Sequence, residues 1–199
     1  MVYRLKPFTD NLTKAQKSIN ALAANGGGDG PEAVFDGILA ACQKLEWRRH
    51  ARRIAVLVGD APPHGVGASG DHFRGGCPCG QTIASVTAAA EEQRVTLYAL
   101  GLLPEVAASF GLLAKFTGGE YFAAGQSEAA IEHLKSLLQA EFGNLEFDGR
   151  ALAEWEANPE LSFDDLAARL KSTPGQVAAA YTRLSARRLV GVGARPSSN

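Results

Sequence analysis

Two stretches of the chain carry unbroken apolar runs rather than alternating ones, residues 53–59 (RIAVLVG) and 94–101 (RVTLYALG). Runs of this kind predict strands buried on both faces, the pattern of a parallel sheet. Around them the apolar spacing lengthens to three and four. Val34, Phe35, Ile38, Leu39, Cys42 and Leu45 form one helical stripe behind Pro31, and Cys42 within it reads as packing. Further helices are predicted from Thr9 or Asp10 to about Ala24, with Leu12, Ile19 and Leu22 apolar, and from Thr82 to about Gln93. Pro104 opens another that runs to about Phe116, and "TGG" breaks it ahead of a short strand in EYFAA. Residues 127–142 predict an amphipathic helix with Ile131, Leu134, Leu137 and Leu138 inward, and residues 2–8 (VYRLKPF) a short strand. Strand, helix, strand, helix, strand is the α/β order.

The pattern changes near residues 143–149, read as a linker. Beyond it, residues 150–192 are predicted as a small helical module, and 193–199 as a disordered tail. Ser162-Phe163-Asp164-Asp165 and Thr173-Pro174-Gly175-Gln176 are helix-start signals, the second with Pro at the first helical position. Leu161, Leu166, Leu170, Val177, Tyr181, Leu184 and Leu189 form the expected core, with Trp155 of "ALAEWEAN" packing across them.

Composition narrows the function classes. The chain has 199 residues, 46% of them hydrophobic, and a net charge of −1. Bulk attraction to nucleic acid or anionic membrane is not expected at that charge. No apolar run reaches the roughly 18 residues that a membrane span needs. MVYRLKPFTD has no apolar h-region, and three cysteines is an odd count, so a reducing, cytoplasmic setting is expected.

Candidate chemistry gathers where the strands end. Ligands of open parallel sheets bind beyond the carboxyl ends of the strands. Asp60 sits at such an end in "VLVGDAPPHG", and Asp29 lies in the glycine-rich loop "NGGGDGPEAVFDG". Two acids on converging loops suit a hard cation such as Mg²⁺, with water and hydroxyls completing six oxygens. Asp29 has a second reading as a helix N-cap, and Glu32 reads as a first-turn acid complementing the helix dipole.

These residues carry a resemblance. "NGGGDGPEAVFDGILAACQKLEW", "RRIAVLVGDAPPHG", "VTLYALGL" and "FTGGEYFAAG" together resemble the von Willebrand factor A domain family over residues 1 to about 142, in a branch with domains fused to atypical kinases. The resemblance implies a Rossmann-like, doubly wound sheet with a metal-ion-dependent adhesion site at its top. Three loops normally build that site: an Asp-x-Ser-x-Ser after the first strand, a Thr in the second loop and an Asp in the third. Asp60 matches the third-loop Asp; Gly28 falls near the Thr position, with Asp29 as the neighbouring substitute. No Asp-x-Ser-x-Ser occurs in the chain, which starts where the family would be finishing its third strand. The implied domain is therefore truncated, lacking the family's first strand, and holds a remnant of a Mg²⁺ site complete only in a longer form. The family's first strand lies mid-sheet beside the strand matching residues 53–59, so that strand is expected to have an open edge and an uncovered face.

Two other sites compete with this reading. His64, His72, Cys77 and Cys79 share one loop and offer a tetrahedral donor set for Zn²⁺, although Cys-x-Cys is tighter than the usual spacing. The plain alternative is a glycine-rich surface loop. The C-terminal module resembles the helix-turn-helix part of winged-helix domains. If it binds DNA, Gln176 would read a base, and Arg183, Arg187 and Arg188 would meet phosphate. From residue 149 onward seven Arg/Lys stand against five Asp/Glu, a feeble basic balance, so nucleic acid is not favoured over packing or protein docking.

No nucleophile elbow, Walker lysine, H-E-x-x-H or kinase motif appears, so no enzyme is expected. The expectation is a non-enzymatic protein–protein interaction module whose metal captures a carboxylate of a protein partner, away from any membrane.

Overall fold

The computed structural model describes residues 5–23, 30–48, 51–124 and 128–190. The chain is mixed α/β. In the first unit, residues 1–132, the elements run α1 (Leu12–Asn20), α2 (Val34–Lys44), β1 (Arg53–Gly59), α3 (Ile83–Glu92), β2 (Val95–Gly101), a 3₁₀ turn (Pro104–Val106), α4 (Ala107–Phe116) and β3 (Tyr121–Ala123). The three strands are parallel in the order β1-β2-β3. β1 pairs with β2 from Arg53↔Val95 to Gly59↔Gly101, and β2 with β3 from Ala99↔Tyr121 to Gly101↔Ala123.

Side chains alternate across a strand, so each strand presents two faces. On one face Ala55, Leu57, Leu97, Ala99 and Tyr121 pack with Phe35, Ile38 and Cys42 of α2, Val86 and Ala90 of α3, and Phe110, Leu113 and Ala114 of α4. That cluster is the core of the unit. On the other face Val56 and Val58 are 41% and 54% exposed, beside Tyr98 and Leu100 in register. β1 also lies at the sheet edge among the described residues. The apolar run of β1 is thus buried on one face only, whereas β2 is buried along nearly its whole length, as expected of its run.

Local chemistry explains the helix boundaries. Thr82 caps α3, its hydroxyl accepting from the Ser85 amide while the Ser85 hydroxyl accepts from the Thr82 amide. At the end of α4 the Thr117 hydroxyl accepts the Leu97 amide of β2 at 3.0 Å. Gly118 ends the helix at a left-handed φ of +76°, with the Gly119 amide on the Ala114 carbonyl, and at Gly119 a Cβ would strike the Leu97 carbonyl of the sheet.

Several expectations are corrected. α2 begins at Val34, not at Pro31; Pro31 and Glu32 are extended, and the acid of the first turn is Asp36 rather than Glu32. α1 is capped by Asn11 rather than by Thr9 or Asp10, ends at Asn20, and leaves Leu12, Ile19 and Leu22 exposed. Residues 5–8 form no strand.

The second unit, residues 133–199, has its own core. The unit boundary falls within α5 (Glu128–Ala157), which is continuous through residues 143–149, so the expected linker is helical. Leu145 and Glu146 favour helix there, and Phe147 and Asp148 are held by the packing of the module and by Arg183. α6 (Phe163–Leu170) and α7 (Pro174–Ala186) follow, each capped at the residue foreseen, Ser162 and Thr173. Trp155, Leu166, Val177 and Leu184 are buried, with Leu161, Leu170, Tyr181 and Leu189 packed against them. Trp155 meets Tyr181 edge-on at 5.5 Å between ring centroids. The tail at 193–199 lies outside the described residues. No helix among the described residues is long and apolar enough to cross a membrane.

Candidate functional site

The two motif loops meet. Glu32 and Pro63 form a parallel bridge. The Glu32 amide donates to the Pro62 carbonyl at 2.9 Å, and the His64 amide donates to the Glu32 carbonyl at 3.2 Å. Pro31 and Pro63 are fully buried at this junction. Proline has no amide to satisfy, so it can be buried where a ladder would otherwise demand a donor. "PEA" and "DAPPHG", far apart in sequence, are therefore one structural feature, and it begins beside Asp60.

Asp60 is exposed at the carboxyl end of β1. At the end of β1, Gly59 gives room to the Phe110 ring, which a Cβ would meet at 3.1 Å, and its carbonyl accepts the Leu102 amide at 2.8 Å. Leu102 and Leu103 are about half exposed after the end of β2. The rim near Asp60 is thus an acid among apolar side chains. Asp29 and Gly28, the second-loop candidates, lie outside the described residues.

The loop after Asp60 is organised by a residue that the sequence reading passed over. Asp71, 3% exposed, accepts the Gly65 amide at 2.7 Å and the Phe73 amide at 2.8 Å, and lies 3.1 Å from His64 Nδ1. The Gly65 amide foremost, then the Phe73 amide and His64, hold the Asp71 carboxyl below the usual carboxylate range. With Asp71 ionised, Nδ1 of His64 carries the proton that it shares. The His64 ring also stands edge-on to Phe73 at 4.9 Å. The only sequence signal for this hub was an acid amid glycines, a common feature of turns.

The expected zinc quartet is therefore divided. His64 is engaged with Asp71, and His72 is exposed. Cys77 is buried in the main core and Cys79 packs partly against it. The donor that joins the two thiols is Asp36 of α2: its carboxylate and both Sγ atoms lie within 4.8 Å of one another. Burial foremost, and then the hydrogen bond with Cys77, push the Cys79 thiol up to about 11, and burial does the same to Cys42. All three cysteines are free.

In the second unit two of the three expected phosphate contacts, Arg183 and Arg187, are paired with a buried acid. Asp148, 2% exposed, accepts Nε of Arg183 at 3.0 and 3.1 Å and Nη2 at 2.5 Å, while Nη1 of Arg187 stands 3.7 Å away. Gln176 accepts the Thr173 amide within the cap of α7. Arg188 is exposed, at a positive φ just past that helix. Arg183 and Arg187 thus face Asp148, and Gln176 takes part in the cap of α7. Asp148 was hidden in the sequence by its place in the expected linker.

No family model matches the chain. Over 75 residues, 37% of its length, the chain is 32% identical to the alpha-protein kinase vwkA of Dictyostelium discoideum, and the match spans 12% of that protein.

Proposed function

We propose that the chain is a non-enzymatic protein-interaction module of von Willebrand factor A type, carrying in Asp60 part of a Mg²⁺-dependent adhesion site. The observation that carries this reading is the backbone junction of Glu32 with residues 62–64, which joins both motif loops beside Asp60. A parallel sheet with Asp60 exposed at the carboxyl end of β1 also supports it, because that is where open α/β sheets bind ligands. Mg²⁺ would be held by Asp60 and Asp29, with water completing its oxygen ligands, and would take the carboxylate of a protein partner. Leu102, Leu103 and Val58 near the rim supply apolar surface for the same partner.

The short match to a segment of a kinase suits an accessory module carried beside a catalytic domain, with no phosphoryl transfer assigned to this chain. The C-terminal unit serves as a packing or docking module, since Arg183 and Arg187 are held by Asp148. The test is partner binding with and without Mg²⁺. Asp60→Ala abolishes the Mg²⁺-dependent part and leaves thermal unfolding unchanged, because Asp60 is exposed. Binding that persists in that variant would overturn the reading.

A further inference from the structure

Cys77 and Cys79 stand on either side of Pro78, and the fold brings both thiols to Asp36 in the first turn of α2. The three donor atoms lie within 4.8 Å of one another. We infer that Asp36, Cys77 and Cys79 form a binding site for a thiophilic divalent cation, Zn²⁺ by its chemistry, with a fourth position open to water or an external ligand. The site is independent of the Mg²⁺ reading at Asp60 and does not rest on it.

Geometry carries the inference. Zinc sits about 2.3 Å from sulfur and about 2.0–2.2 Å from oxygen, which sets tetrahedral donors roughly 3.5–3.8 Å apart. The donors, within 4.8 Å of one another, already lie close to that spacing. Both walls of the site are fixed in advance. Phe35 and Ile38 bury α2 beside Asp36, and Cys77 itself belongs to the same core. Cys79 and Asp36 are only partly buried, so an ion has a path in from one side. Two sulfurs and one oxygen select a soft or borderline metal over Mg²⁺ or Ca²⁺, which take oxygen. On binding, both thiols give up their protons to solvent, and the ion then faces two thiolates and one carboxylate.

The metal would fasten the loop of residues 61–82 to α2. It would add to the Asp71 hub, the Glu32 junction and the burial of Cys77 in the core, which already hold that loop. The ion is thus a staple for the segment that follows Asp60, with the open position available for exchange.

The experiment uses the whole protein, chelated and kept reduced, titrated with Co²⁺ and then with Zn²⁺. One equivalent of Co²⁺ gives thiolate-to-cobalt charge-transfer bands and the intense visible bands of a tetrahedral ion, and one equivalent of Zn²⁺ removes them. Cys79→Ser abolishes the charge-transfer bands or cuts them sharply. Asp36→Asn, which removes a direct charged ligand, weakens binding by at least roughly tenfold, the low end of the loss for even an outer-shell partner. His72→Ala changes nothing. Absence of the bands at one equivalent overturns the site, as does their persistence at full strength in Cys79→Ser. Loss of the bands in His72→Ala would overturn this donor set in favour of another in the same loop.

Discussion

The backbone carbonyl of Glu32 accepts the amide of His64 at 3.2 Å, so a residue before α2 and a residue after β1 are locked together. The contact is made by main chain, and what protects it is the geometry of the turns around it. Gly65 is the tightest of these, with φ of +79° and its amide on Asp71. A Cβ there would fall on the backbone of Gly76 and Cys77, 2.8 Å from Gly76 Cα. Gly65→Ala is expected to destabilise the first unit by roughly 2–4 kcal/mol, summing a left-handed strain term and a backbone clash. Urea unfolding of the variant checks this, with Gly67→Ala as comparison. Gly67 has a similar φ but open space around it, so it should lose only the strain term, about 1–2 kcal/mol.

Asp71 makes the stability of that loop depend on acid. Its folded pKa lies below its unfolded value, so its contribution is fully present above about pH 4 and is lost as pH falls through the folded value. Asp71→Asn cannot titrate. Its unfolding midpoint should be lower than wild type at neutral pH, and the gap should narrow as pH drops below about 4. Parallel midpoints across that window would contradict the role of the carboxylate.

The chain was legible where one rule acted alone. Residues 53–59 and 94–101 read as strands from their apolar runs, and Ser162 and Thr173 as helix starts from short-range chemistry. It was less legible where tertiary contacts decide. Pro31 looked like a helix start, but Glu32 after it is bridged to Pro63 and α2 begins only at Val34. Two glycines at 143 and 149 looked like a linker, yet helix continues through them because flanking residues carry it. The donor set around Cys77 could not be read from spacing, because Asp36 arrives from a separate helix.

The second unit depends on one buried carboxylate. Asp148 is almost fully enclosed and Arg183 about one-third exposed, so removing the acid strands a partly shielded cation. The Asp148 hydrogen bond, foremost among the influences on Arg183, pushes the guanidinium pKa further up, so that charge does not titrate away. Asp148→Ala is expected to cost roughly 2–4 kcal/mol, the lower part of the range for a broken buried pair because Arg183 keeps some solvent. Thermal unfolding of Asp148→Ala, Arg183→Ala and the double variant measures the coupling; additive losses would show that the pair acts as separate side chains.

Val58 tests the uncovered sheet face. It is 54% exposed on an edge strand, so Val58→Lys should move stability by no more than about 0.5 kcal/mol. The same change places a charge on an apolar edge and should reduce self-association. Light scattering against protein concentration, read beside a urea melt, checks both. A large stability loss would mean that Val58 is covered in solution.

The most direct measurement of the central claim compares partner binding by wild type and Asp60→Ala, in Mg²⁺ and in chelator. An interaction module built on a metal at the end of β1 predicts wild-type binding that chelator removes and that Asp60→Ala lacks in either buffer. Equal binding by both proteins, unaffected by chelator, would contradict it and leave the Glu32 junction as a purely structural feature of the fold.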